Sequence, residues 1–361
     1  EKLIWDLWEI GVDAIIVQDM GILEMNLPPI SLFASTQTNN FAVEKIKFLE
    51  KVGFQRVILA RELSLAQIKN IRENTKVDLE TFVHGALCVS FSGQCYFSQA
   101  IAGRSGNRGT CCQPCRAIYD LVDAKGEIIE KQKHLLSLKD FNLSKHLEEL
   151  VEAGVTSFKI EGRLKDIDYV TNVVAKYREL LDKIISQNKK FVRASEGKSV
   201  CGFTPNLEKT FNRGYTDYFF SDRQTGIWSP DTAKSIGQKI GRVVSVHKNY
   251  FEIDVAKDLQ SGDGICFFNR QKELVGTNIN KVEGNKIYPH SLADIEVGSE
   301  IRRNFSLAFD KLLKKENICK RLIPIKFLFQ ENDGGFILSA KDENNNVIEP
   351  EITIGDMIDN D

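Results

Sequence analysis

Leu79-Glu80-Thr81-Phe82-Val83-His84-Gly85 is a short, mostly apolar run that breaks off into polar and small residues. The same pattern occurs on both sides of it. Val12 to Val17 ends in Gln18-Asp19, Ile30 to Ala34 in Ser35-Thr36-Gln37, and Val57 to Ala60 in Arg61-Glu62. Phe158 to Ile160 ends in Glu161-Gly162-Arg163. Between these runs, the spacing predicts helices over Phe41–Leu49, Leu63–Ile71, Leu143–Val151 and Tyr169–Ile185, each with apolar residues near one face. Strands alternating with helices imply a parallel sheet. An open doubly wound sheet uses strand ends only near its switch point. A (β/α)8 TIM-type barrel gathers all strand ends on one face, where chemistry sits. Because every run here ends in polar residues, an α/β barrel is expected. Only five units are visible, so the missing N-terminal units are expected before residue 1. Their absence would leave open edges, which a longer protein or a second chain would pair.

This barrel portion is expected over residues 1–185, with a Cys-rich loop inserted at about 86–135 and an irregular connection over 186–235. Residues 236–305 read as a small antiparallel β-barrel module. Arg242–Val246, Phe251–Val255, Gly264–Phe268 and Ile287-Tyr288 are its strands, parted by Asn249, Gly262-Asp263 and Gly284-Asn285, which favour turns. Residues 306–361 read as a linker helix, Ser306 to Lys315, and the start of a further β-rich module that ends in an acidic stretch.

The chain has 361 residues, 42% of them hydrophobic, enough for two or three cores. A net charge of -2 decides nothing about nucleic acid, since a local basic patch remains compatible with it. No apolar run nears the ~20 residues that span a bilayer, so no membrane association is expected. Five of the eight cysteines lie between Cys88 and Cys115. Disulfide scaffolds spread their cysteines as staples, so the clustering points to metal ligation in a reducing cytoplasm. Cys201, Cys266 and Cys319 stand alone and read as plain core residues.

Cys88, Cys95, Cys111 and Cys115 are separated by six, fifteen and three residues. Four thiolates suit a tetrahedral zinc or an iron–sulfur cube. Zinc ribbons use two tight Cys-x-x-Cys knuckles, and none is present, so the spacing leans towards a cluster and leaves zinc as the alternative. Cys112 stands ready to replace Cys111.

Glu80-Thr81-Phe82-Val83-His84-Gly85-Ala86-Leu87-Cys88, continuing through Ser92-Gly93-Gln94-Cys95 to Ser98, resembles the signature of the peptidase U32 family. Phe97 replaces the usual aliphatic residue. Gly103-Arg104-Ser105-Gly106-Asn107-Arg108-Gly109-Thr110-Cys111, Gln113-Pro114-Cys115-Arg116, Ala34-Ser35-Thr36-Gln37, Leu59-Ala60-Arg61-Glu62, Ser157 to Arg163, and Phe211-Asn212-Arg213-Gly214 are similar too. The resemblance runs from residue 1 to about 230. It implies that the five strands are the fourth to eighth of the barrel. The family takes its name from a collagenase-like bacterial peptidase, but the resemblance also implies oxygen-independent hydroxylases of RNA bases or of a quinone precursor. It further implies a [4Fe-4S] cluster on Cys88, Cys95, Cys111 and Cys115. Members directed at RNA are linked to prephenate as co-substrate, and the short Cys111–Cys115 spacing resembles theirs.

Hydroxylating a pyrimidine calls for a redox centre, a base pocket and a hold on phosphate. Arg104, Arg108 and Arg116 flank the cysteines and suit phosphate or carboxylate. His84 suits general acid–base work near neutral pH. Asp19, Glu62 and Glu161 are candidate catalytic carboxylates at the same strand ends. Arg61, Lys159, Arg163 and Gln37 are candidate substrate contacts, with a salt-bridge network inside the barrel as the plainer alternative. The expected function is an iron–sulfur RNA hydroxylase, most simply of transfer-RNA uridine, or else of ribosomal cytidine, with an unidentified electron donor. A peptidase is the competing reading. It has neither a His-Glu-x-x-His motif nor a Gly-x-Ser-x-Gly elbow behind it, which leaves a Cys nucleophile with His84. A zinc-stabilised binding module is the third.

Overall fold

A computed structural model describes residues 1–255, 258–332 and 335–353. After α1 (Lys2–Glu9), strands β1 (Ala14–Val17), β2 (Ser31–Ala34), β3 (Arg56–Ile58) and β4 (Asp78–Ala86) run parallel, each paired with the one before. Helix α2 (Val43–Lys51) joins β2 to β3, and α3 (Leu65–Asn74) joins β3 to β4. Ser64 and Gln67 form a reciprocal capping box that starts α3. Ile46 and Leu49 of α2, and Ile68 and Ile71 of α3, are fully buried against the sheet. Each such side chain contributes about 1.5–3 kcal/mol. Phe41, read from the sequence as part of the α2 apolar face, precedes the helix and is 52% exposed.

The segment after β4 carries α4 (Phe97–Ala102) and a hairpin, β5 (Tyr119–Val122) with β6 (Ile128–Lys133). β7 (Asp140–Asn142) then runs antiparallel to the last residues of β4. After α5 (Leu147–Glu152), β8 (Ser157–Ile160) pairs parallel with β4. The five parallel strands are therefore neighbours in chain order, β1-β2-β3-β4-β8, with no reversal among the described residues. Helix α6 (Ile167–Gln187) begins at the Asp166 side chain, which accepts from the Tyr169 amide, and lays Tyr169, Val173, Tyr177 and Ile184 on the core.

Residues 186–235 are not a mere connection. Their strands are β9 (Lys198–Cys201) and β10 (Tyr215–Thr216), and β10 pairs with β7 in the main sheet. Leu207, Tyr218 and Phe220 are buried in the first core.

The next module comprises β11 (Gln238–Val246), β12 (Phe251–Ile253), β13 (Gly264–Phe268), β14 (Leu274–Glu283), β15 (Lys286–Pro289) and β16 (Glu300–Phe305). They close into a barrel in the order β11-β12-β15-β14-β13-β16, all pairs antiparallel. Ile240, Val243, Phe251, Ile253, Ile265, Phe267, Ile279, Ile287 and Ile301 fill its interior. β14 and β16 were not expected from the sequence; Ile279 is the one fully buried position in β14, so barrel closure rather than local pattern defines that strand.

Helix α7 (Leu307–Leu313) leads to β17 (Cys319–Leu322), which pairs antiparallel with β9. Cys319 stands opposite Cys201, and the two form a disulfide, which corrects the expectation of isolated core cysteines. Cys266 is free and buried, and burial pushes its thiol up to about 11. β18 (Lys326–Asn332), β19 (Gly335–Lys341), β20 (Val347–Ile348) and β21 (Glu351–Thr353) form a last sheet. The acidic end read from the sequence lies outside the described residues. No described helix is long and apolar enough to cross a membrane.

Candidate functional site

The carboxyl ends of β3, β4 and β8 meet at Arg61. Its guanidinium lies 3.8 Å over the Phe82 ring of β4. Nη2 donates to Glu161 Oε2 at 3.2 Å, and Nη1 reaches Cys88 Sγ at 3.6 Å. Arg61 is nearly buried, so this pair is screened less than a surface pair. Arg61 and Glu161, expected as a substrate contact and a catalytic carboxylate, are thus both engaged around the first cysteine.

The loop from Cys88 to Cys95 is pinned to the strand ends. Glu62 accepts from the Ser92 amide at 2.7 Å and from the Ser92 hydroxyl at 2.8 Å. The Arg61 amide donates to the same hydroxyl at 3.2 Å, and Asn39 Nδ2 donates to Ser92 O at 2.8 Å. Gly93 has φ +76°, and a Cβ there would sit 2.1 Å from the Gln37 carbonyl oxygen. Gln37 Nε2 in turn donates to Gly106 O at 3.2 Å, tying down the next part of the loop. Glu62 and Gln37 therefore position the cysteine loop.

The free thiols of this loop are graded in exposure. Cys88 and Cys112 are exposed, and Cys95, Cys111 and Cys115 are half-buried. Burial raises the Cys115 pKa, the Arg116 guanidinium opposes that, and the thiols of Cys88, Cys111 and Cys95 raise it further. Cys112 is not among those neighbours. Its sulfur lies 3.2 Å from the Ser98 hydroxyl, which also accepts from its amide. The Gln113 amide donates to Cys111 Sγ at 3.3 Å. Among the described residues, no three His, Cys, Asp or Glu side chains are arranged about a single ion.

Other expected site residues are placed differently. His84 is 1% exposed, with the rings of Tyr169, Tyr177 and Tyr215 at 5.4–6.1 Å. Its Nδ1 is 3.4 Å from the Tyr177 hydroxyl, and its Nε2 has no partner among the described residues. Burial pushes its pKa down to about 3. The imidazole is thus enclosed by tyrosines and away from solvent. Arg116 donates to Ser137 Oγ, Leu138 O and Leu87 O and so braces the loop from within. Lys159 pairs with buried Glu80 at 3.3 Å, alongside Arg56 at 3.6 Å, which is the salt-bridge alternative. Asp19 accepts from the Gly21 amide and caps a turn. Arg163 donates to Gly109 O at 3.2 Å. Arg104 and Arg108 are exposed, with no side-chain partner among the described residues.

Sequence reasoning missed a buried ion pair, Asp140 with Arg213 at 2.7 Å. The signal was Phe211-Asn212-Arg213-Gly214. It also missed Lys165, whose ammonium lies 3.1 Å from the Phe211 ring centroid. Burial, and then Arg213, lower its pKa to about 8. The described residues also form two clefts, of which the first shares Asn39 and Glu62 with the site. One, of about 730 Å³, is lined by Phe41, Phe91, Gln67, Gln94, Phe219 and Arg223. The other, of about 850 Å³, carries Lys139, Lys145 and Lys176.

The profile of the family described as Peptidase family U32 matches residues 1–230. A 23S rRNA 5-hydroxycytidine synthase of Escherichia coli (strain K12) is 46% identical over 89% of this chain and 50% of its own length. An uncharacterized protease of Methanocaldococcus jannaschii is 38% identical, covering 76% of this chain and 70% of that one. A tRNA hydroxylation protein of Bacillus subtilis (strain 168) is 34% identical, covering 78% and 69%. This chain therefore spans about half the length of the first of these relatives. The signature read around the cysteines and the profile match over residues 1–230 agree: the chain belongs to peptidase family U32.

Proposed function

We propose that this chain carries the iron–sulfur portion of a cytoplasmic RNA-modifying enzyme that hydroxylates a pyrimidine, ribosomal cytidine ahead of transfer-RNA uridine. The observation that carries the reading is the gathering of four thiols, Cys88, Cys95, Cys111 and Cys115, where three strand ends meet at Arg61. The preference for cytidine follows the 46% likeness to a hydroxycytidine synthase against 34% for a tRNA hydroxylation protein. The in-order parallel strands support five units of a (β/α)8 barrel, since a doubly wound sheet reverses its order.

The donor set fits a cluster. Four thiols with no carboxylate or imidazole are soft ligands. A four-iron cube takes one thiolate per iron and spaces its ligands more widely than a single zinc does. The thiols of Cys88, Cys95 and Cys111 lie near enough to Cys115 to act on it, which supports one group shared by the four. Cys112, held by Ser98, stands outside the set. When bound, the cluster supplies one-electron transfer.

The chain's own residues hold and screen. Arg61 places positive charge on Cys88, which eases reduction of whatever the thiolate binds. Glu62 and Gln37 fix the loop. Arg104 and Arg108, exposed and without a side-chain partner among the described residues, suit a phosphate, or a carboxylate of prephenate, the co-substrate the family likeness implies. A thiol peptidase would need a cysteine beside His84, but the ring neighbours of His84 are tyrosines.

The test is nucleoside mass spectrometry on RNA from cells lacking their own hydroxylases and supplied with the full-length protein. A pyrimidine gaining the mass of one oxygen, lost with Cys88→Ser, is expected. Unchanged RNA in the presence of iron-loaded protein would overturn the reading.

A further inference from the structure

We propose that the cleft between the β2–α2 loop, the start of α3 and the Cys88–Cys95 loop receives one unstacked pyrimidine base of RNA. This rests on the RNA reading above and adds where the base goes. Phe91 and Phe41 line the cleft while 63% and 52% exposed, so neither serves the core. Exposed aromatic faces are the platforms on which single-stranded bases stack.

The polar groups suit a neutral heterocycle rather than a phosphate. The Gln94 amide is exposed with no partner among the described residues. Gln67 gives its Oε1 to the Ser64 amide, which leaves its Nε2 to donate. Side-chain amides offer the donor and acceptor that a Watson–Crick edge requires. Glu62 faces the cleft with both oxygens engaged by Ser92. Arg223, its guanidinium 5.6 Å from the Phe219 ring, is the cation left for the flanking phosphate.

Position completes the case. Phe91 and Gln94 belong to the loop between the first two cysteines, and Glu62 adjoins Arg61, whose guanidinium reaches Cys88. A base held here lies against the loop that joins the first two cysteines.

The experiment uses the full-length protein and a hairpin RNA carrying thiouridine or bromocytidine in its loop. Ultraviolet cross-links are mapped to peptides, and the KM for RNA is measured for Phe91→Ala and Phe41→Ala. Cross-links at Phe91 or Phe41 are expected, with KM raised about 5- to 100-fold per ring and iron content unchanged. Cross-links at the lysine cleft or residues 236–305, with hydroxylation intact, would overturn this inference alone. Absence of both cross-links and hydroxylation would overturn it together with the RNA reading. If fluorine NMR of labelled Phe91 responds to a gelatin peptide and not to RNA, the occupant is a peptide and the inference fails.

Discussion

Replacing Gly93 by Ala tests whether the strand ends hold the cysteine loop in place. Gly93 has φ +76°, a region that costs an L-residue about 1–2 kcal/mol. The added Cβ would lie 2.1 Å from Gln37 O and 2.7 Å from Gln37 C. Both atoms are backbone, in a turn fixed by Ser35 and by the Gly106 contact, so the loop has to move instead. Overpacking of this kind costs about 1–3 kcal/mol. The closed loop is then disfavoured by about 2–5 kcal/mol, a factor of roughly 30 or more in its population. Gly103→Ala is the matched control: φ is +64°, but nothing lies within 4 Å of the new Cβ. Iron per chain after anaerobic purification, with thermal unfolding alongside, reads the outcome. Gly93→Ala is expected to lose most of its iron and Gly103→Ala to keep it. Equal iron in both would refute the claim that Gln37 and Gly93 position the ligands.

Cys112→Ser is expected to keep its iron and Cys111→Ser to lose it, because Cys112 is held by Ser98; the reverse result would exchange the two ligands. Asp140→Asn leaves buried Arg213 unpaired and is expected to cost about 3–5 kcal/mol in urea unfolding. Under 1 kcal/mol would show that the pair is relaxed into water. His84 is neutral when folded, its pKa lowered to about 3 from 6.5. The unfolded chain therefore binds the extra proton first as pH falls, and stability declines from pH 6.5 towards 3. At pH 5 the loss from this group is about 2 kcal/mol. His84→Leu is expected to flatten that slope in pH-resolved unfolding, and an unchanged slope would clear His84 of it.

The parallel strands were legible because each apolar run stops at a polar strand end, and the thiol cluster because five cysteines crowd one segment. β7 and β10 were not, since three and two residues carry no periodicity and only pairing with β4 and with each other defines them. Cys201 and Cys319 are 118 residues apart, and nothing local links them before β9 and β17 pair. The enclosure of His84 was not legible for a related reason. Tyr169, Tyr177 and Tyr215, which bury it, arrive from α6 and β10, far along the chain. Arg116 and Lys159 looked available because sequence shows a charge and not its partner, here Leu87 O and Glu80.

Iron and zinc analysis with an absorption spectrum, on protein purified without oxygen, tests the central claim most directly. About four irons per chain with a broad band near ~400 nm is the predicted result for four thiolates on a cube. One zinc and no iron would contradict it.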